Sequence, residues 1–176
     1  GQVAVSGAVT QGNNLPEVNS LNGQSCSLNV DLNEFNEPFV ARFDRNGTLV
    51  FSSCFGGDIR GGSSQEWARD IEIGGDGRLY IVGTTSMTDF PLANPLQDAP
   101  GYVGSRDMFI SIIDTSISPA TLDFSTYFGP PAAGSAAAGP SGSTGQRYFP
   151  SQIAVDLEGK ISVTGVTNEF NFPAVN

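Results

Sequence analysis

Few side chains in this chain could bind a metal, move a proton or attack a substrate, and their types narrow the chemistry at once. Among 176 residues there is no His, and there are only two Cys, Cys26 and Cys54. That removes Ser-His-Asp and Cys-His nucleophilic sites, the usual imidazole base, and zinc sites built on His or on four thiolates. What remains is carboxylate. Asp58, Glu66, Asp70, Asp89, Asp98, Asp107 and Glu169 are the acids from which a glycoside-cleaving pair would be drawn, and a carbohydrate would then be the ligand. Eighteen acidic residues face eight basic ones, for a formal net charge of −10, so these acids are expected mostly as solvated surface charges and the chain is not expected to be an enzyme.

Calcium is the one metal that the inventory permits, since it accepts carboxylate, amide and backbone oxygens. Asp44-Arg-Asn-Gly47 and Gly75-Asp-Gly77 resemble calcium loops superficially, but neither alternates Asp with spacer residues as such loops do. Tight turns account for both segments, and no cofactor is expected. Asn46-Gly-Thr48 fits a glycosylation sequon, but Asn-Gly is also the dipeptide that hairpin turns prefer.

No cluster of Lys or Arg is present to grip a phosphate backbone, which argues against nucleic acid as a partner. The longest apolar runs, such as Phe109 to Ile113, are too short to span a bilayer, so no membrane insertion is expected. One Lys beside seven Arg, with abundant Ser, Thr, Asn and Gly, suits an extracellular, cell-surface or periplasmic protein. The chain opens at Gly1 without Met or a signal peptide, and so reads as a processed product or a stretch of something longer.

The elements that must position these residues are set by an internal repeat. Gly7-Ala-Val-Thr-Gln-Gly-Asn-Asn-Leu-Pro-Glu-Val-Asn19 matches Gly83-Thr-Thr-Ser-Met-Thr-Asp-Phe-Pro-Leu-Ala-Asn94 and Gly165-Val-Thr-Asn-Glu-Phe-Asn-Phe-Pro-Ala-Val-Asn176. Phe39-Val-Ala-Arg-Phe-Asp44 matches Phe109-Ile-Ser-Ile-Ile-Asp114, and Leu49-Val-Phe-Ser-Ser-Cys-Phe-Gly56 matches Leu122-Asp-Phe-Ser-Thr-Tyr-Phe-Gly129. Ile71-Glu-Ile-Gly-Gly-Asp-Gly77 matches Ile153-Ala-Val-Asp-Leu-Glu-Gly159, so one unit is about eighty residues. Each block reads as a short apolar strand bounded by Gly and Asn/Asp turns. A unit is thus four consecutive antiparallel strands, apolar on both faces, which suits sheets stacked between like sheets as in propeller blades. The fold class expected is all-β, with one complete four-stranded blade (58–130) flanked by two partial ones (1–57 and 131–176).

Ile-Ala-Val-Asp-x-x-Gly, Val-Thr-Gly-x-Thr, an acid or amide with Phe-Pro, and a closing Ser-Thr-Tyr-Phe-Gly resemble the SBBP-type bacterial β-propeller repeat. The resemblance covers nearly all of the chain except its long loops. It implies four-stranded blades in a secreted or surface protein of bacteria, and it brings no catalytic residues. The long insertions depart from the usual pattern.

In an up-and-down sheet the short turns leave by one end and the long connections (12–36, 56–67, 85–106, 129–149) by the other, and that other end is the candidate working surface. The stretch 129–145 is low in complexity and is expected to be mobile. Cys26 lies in a long loop and Cys54 at a strand end on the same side, so a Cys26–Cys54 disulfide is expected. Trp67 and Phe149 precede equivalent strands and are read as packing residues rather than as a ligand platform. Asn/Asp and Pro of the repeated motif are read as turn caps. Leu21, Leu28, Val30 and Phe35 of loop 12–36, with Ile153, Val155, Ile161 and Val163 of the last hairpin, are the residues expected to meet protein partners, either the rest of the polypeptide or neighbouring subunits. The function expected is a structural or interaction module of a filament, coat or adhesin, or else an accessory subunit docked on a larger complex.

Overall fold

The computed structural model describes residues 1–10, 15–24, 26, 36–57, 65–101, 106–129 and 148–167. Residues Leu28, Val30, Phe35, Asp58 and Glu169, and the loop 129–145 beyond Gly129, lie outside that set. The described residues form nine strands and no helix: β1 (Val3–Thr10), β2 (Asn36–Phe43), β3 (Leu49–Cys54), β4 (Trp67–Ile73), β5 (Leu79–Thr85), β6 (Asp107–Asp114), β7 (Thr121–Phe128), β8 (Tyr148–Val155) and β9 (Ile161–Thr167). They pair antiparallel in chain order into three sheets, β1-β2-β3, β4-β5-β6-β7 and β8-β9.

The short hairpins are made by local chemistry. Gly47, Gly77 and Gly159 sit at φ of 81°, 81° and 83°, a region that a side chain would strain. Asp44 Oδ1 accepts the N–H groups of Asn46 and Thr48 at 2.8 Å each, and Asp156 Oδ1 accepts those of Glu158 and Lys160 at 2.9 and 2.8 Å. The Thr48 amide, with those of Asn46 and Gly47, holds the Asp44 carboxyl below the usual carboxylate range. In both expected calcium look-alikes an acid oxygen is engaged by turn amides, since Asp76 Oδ1 accepts from Arg78 N–H at 3.0 Å.

The central sheet is apolar on both faces because alternate residues of each strand point opposite ways. Leu79, Ile81, Phe109, Ile113 and Tyr127 face the first sheet and join Val40, Phe51 and Phe55 in one core. Phe109 lies edge-on to Phe55 at 5.7 Å and stacks on Phe90 at 4.5 Å. Tyr80, Val82 and Met108 face the other way, against Ile153 and the partly buried Val155, Ile161 and Val163. Each such side chain fully buried contributes about 1.5–3 kcal/mol, which is why the stack rather than any one sheet is the stable unit. The four residues of the last hairpin that were expected to meet a partner therefore meet the chain's own central sheet first.

The two described copies of the repeated Pro motif have a role in the sheet as well as in the turn. Besides capping a turn, each of these two copies returns across the outer edge of its own sheet. Val18 exchanges backbone hydrogen bonds with Ser52 of β3 (3.2 and 2.8 Å), and Ala93 does the same with Ser125 of β7 (3.2 and 2.7 Å). Asn19 and Asn94 follow at φ of 50° and 47°, and their amides donate to Ile117 O and Asp123 O at 2.9 and 3.0 Å. Open strand edges invite foreign pairing, and the motif covers both. Leu21 is carried inward by this path to 4% exposure, bridging Ala120 of the central sheet. It thus packs in the chain's own core, because the segment that carries it is held between two sheets.

Candidate functional site

The start of β2, the end of β3 and the approach to β4 lie together at one end of the stack, where Asn36 bridges Gln65 and Cys54 lies opposite Phe39. Cys26 and Cys54 meet there in a disulfide, with Cα atoms 5.0 Å apart and both residues buried. Gly56, just beyond, donates its N–H to Gln24 at 3.1 Å, so the loop is fastened to the strand end twice.

Beside this bond three carboxylates converge on Gly56-Gly57. Glu66, immediately before β4, is 2% exposed; Thr85 Oγ1 donates to its Oε1 at 2.5 Å and Gly57 N–H to its Oε2 at 3.2 Å. Burial pushes its carboxyl up to about 8, with the charges of Glu37 and Asp89 adding to the rise and the Thr85 and Gly57 hydrogen bonds opposing it. A Cβ on Gly56 would come within 2.6 Å of Glu66 Oε2 and 3.3 Å of Glu37 Cγ, and one on Gly57 would collide with Asp89. A side chain at either position would force these acids, and Met87 beside them, to shift. Sequence reasoning singled out Glu66 and Asp89 but missed Glu37; an acid inside an otherwise apolar strand was the available signal.

A carboxyl that keeps its proton at neutral pH is what a general acid needs. Glu66, however, is covered, and both its oxygens are engaged by the protein. Asp107 is fully buried and accepts Gly101 N–H at 3.1 Å, Asp98 is exposed, and Asp70 faces the third sheet, so these acids serve separate places. No group of three or more Cys, Asp or Glu side chains among the described residues is arranged to hold a metal ion. The described residues contain no helix long and apolar enough to cross a membrane. Trp67 carries two guanidinium groups on its ring, Arg106 at 4.4 Å and Arg69 at 5.0 Å.

The second candidate is an apolar groove of about 500 Å³ between the outer face of β6–β7 and β9. Met108, Ile110 and Phe128 form its floor, and Ile161, Val163 and Gly165 form one wall. Leu96, 82% exposed, and Phe149, 41% exposed, stand at its rim. It is continuous with the contact between the central and third sheets, so the expected hairpin residues Ile161 and Val163 lie at the boundary between covered and open surface.

Comparison with family models, curated proteins and solved structures finds no match to this chain.

Proposed function

We propose that this chain is a non-catalytic structural and interaction module of a secreted or cell-surface bacterial repeat protein, its sheets being successive blades of a propeller of the SBBP type. The observation that carries the reading is the sheet stack. Equivalent strands recur in the same order, and each inner face is filled by a like sheet, which is what stacked blades require. A disulfide-bonded, acidic all-β chain is compatible with an extracytoplasmic location. The buried and hydrogen-bonded state of Glu66 supports a structural role for this acid, although folds of this kind host many functions.

The test pairs cross-linking of the protein in its native assembly with a hydrolysis screen on acidic and neutral polysaccharides. Cross-links from the sheet faces or long-loop end to neighbouring protein are expected, with no turnover. Polysaccharide cleavage that disappears in Glu66→Gln or Asp89→Asn would overturn the reading in favour of a carbohydrate-active enzyme.

A further inference from the structure

We infer that Arg69, Arg106 and Thr84, gathered beside the ring of Trp67 at one end of the central sheet, form a binding site for a single carboxylate, a site that the modular reading above neither needs nor supplies.

The strand register makes the cluster. Trp67 of β4 lies opposite Thr84 of β5, which lies opposite Met108 of β6. Thr84 alternates with Val82 and Tyr80, so it shares the face that those residues and Met108 turn to the third sheet. Arg106 precedes Met108 by two residues, and Arg69 sits in the irregularity of β4 between Ala68 and Asp70; the guanidinium of each reaches the indole, at 4.4 and 5.0 Å. Two like charges are thus held on one ring. Burial, and after it the charge of Arg69, press the Arg106 guanidinium below its ordinary pKa. Nothing in the repeat requires the arrangement: the third sheet has Phe149 in place of Trp67 and Ser151 in place of Arg69, and the first sheet has Asn36 in place of Arg106.

What the cluster lacks is an acceptor. Elsewhere the arginines are supplied with oxygen: Arg78 pairs with Asp76 at 2.6 Å and Asp123 at 3.3 Å, and Arg42 donates to Gly77 O at 2.8 Å and Thr115 Oγ1 at 2.5 Å. Among the described residues neither Arg69 nor Arg106 belongs to an ion pair, and Arg106 Nη1 is buried with no hydrogen-bond partner. Thr84 Oγ1, on the adjacent strand, is buried and without a partner too. Buried donors of this kind are normally satisfied, so an oxygen-bearing group is called for here. A carboxylate brings two oxygens in a plane that matches a guanidinium fork, and it accepts from a hydroxyl as well. Arg69 is exposed and Trp67 partly so, which leaves a side open to solvent for its entry. The chain's net charge of −10 repels extended negative charge, so the ligand carries its charge on one group.

Trp67 is the chain's only tryptophan, so its fluorescence reports on this place alone. The test titrates the full chain with sodium acetate, exchanged for sodium chloride at constant ionic strength, and with a capped peptide carrying one Glu. Acetate stands for a free carboxylate and the peptide for one displayed by a protein; the tighter of the two names the source. A saturable change in emission is expected. Arg106→Gln should weaken binding by about tenfold or more, and Arg106→Lys by nearly as much, because the charge stays while the fork is lost. Thr84→Val should weaken binding yet raise the urea midpoint of the ligand-free protein, since it removes an unpaired hydroxyl from a buried position. Should Arg106→Gln fail to fold, Arg69→Gln on the exposed side is expected to weaken binding in its place. No saturable change with either probe, or one that chloride reproduces, would overturn the inference, as would binding indifferent to these substitutions. Tighter binding of polygalacturonate than of either probe would overturn the single charge and make the ligand a polyanion.

Discussion

Asp70 Oδ2 accepts the backbone N–H of Ile153 at 2.8 Å, joining the first strand of the central sheet to the first strand of the third. Glu72 repeats the contact two residues on, its Oε2 accepting Val155 N–H at 2.8 Å. These amides point away from β9, the strand with which β8 pairs, so two carboxylates satisfy an edge that would otherwise be open. Hydrogen bonds to charged acceptors are worth about 1.5–3 kcal/mol each where partly buried. The double substitution Asp70→Ala with Glu72→Ala is expected to loosen the third sheet selectively. Hydrogen exchange should accelerate at Ile153 and Val155 and stay slow in β5 and β6; uniform acceleration would instead indicate global destabilisation.

Glu66 gives stability a pH dependence of defined sign. In the unfolded chain its carboxyl loses its proton near 4.5, whereas in the folded protein it keeps it to about 8. Between those values the native state binds the extra proton. The contribution is therefore whole below about 4.5 and is lost as the pH rises through about 8, amounting to a few kcal/mol. Urea unfolding midpoints should fall from pH 5 to pH 8, and Glu66→Gln should flatten that fall. Parallel slopes for the two proteins would remove Glu66 as the cause.

The Cys26–Cys54 bond closes a loop spanning 28 positions. Constraining the unfolded chain to that extent is worth about 3–4 kcal/mol in the chain-entropy account. The Cys26→Ser, Cys54→Ser protein is expected to unfold at lower denaturant by up to that amount. Because Cys54 is fully buried, Cys54→Ala is the better partner substitution for isolating the loop effect from the burial of a hydroxyl. An unchanged midpoint would show that loop 15–24 is held by its Ser52 and Ala120 contacts alone.

Strand order, hairpin turns and the three-four-two grouping of strands were legible in the sequence, because each depends on residues close together: apolar runs, Gly at a left-handed turn position, Asp two residues before the amide that it accepts. The pairing of two cysteines was likewise legible once the loops had been assigned to one end. What the tertiary structure alone decided is the fate of identical motifs. Leu21 and Leu96 stand in the same local setting, yet one is core and the other surface, since burial is settled by what the neighbouring sheet places opposite. The same holds for Asp70 and Glu66, two acids of one strand region. One turns outward and accepts an edge amide, and the other is enclosed with Glu37 near it and keeps its proton. Local spacing sets which way a side chain points; only the stack sets what it meets.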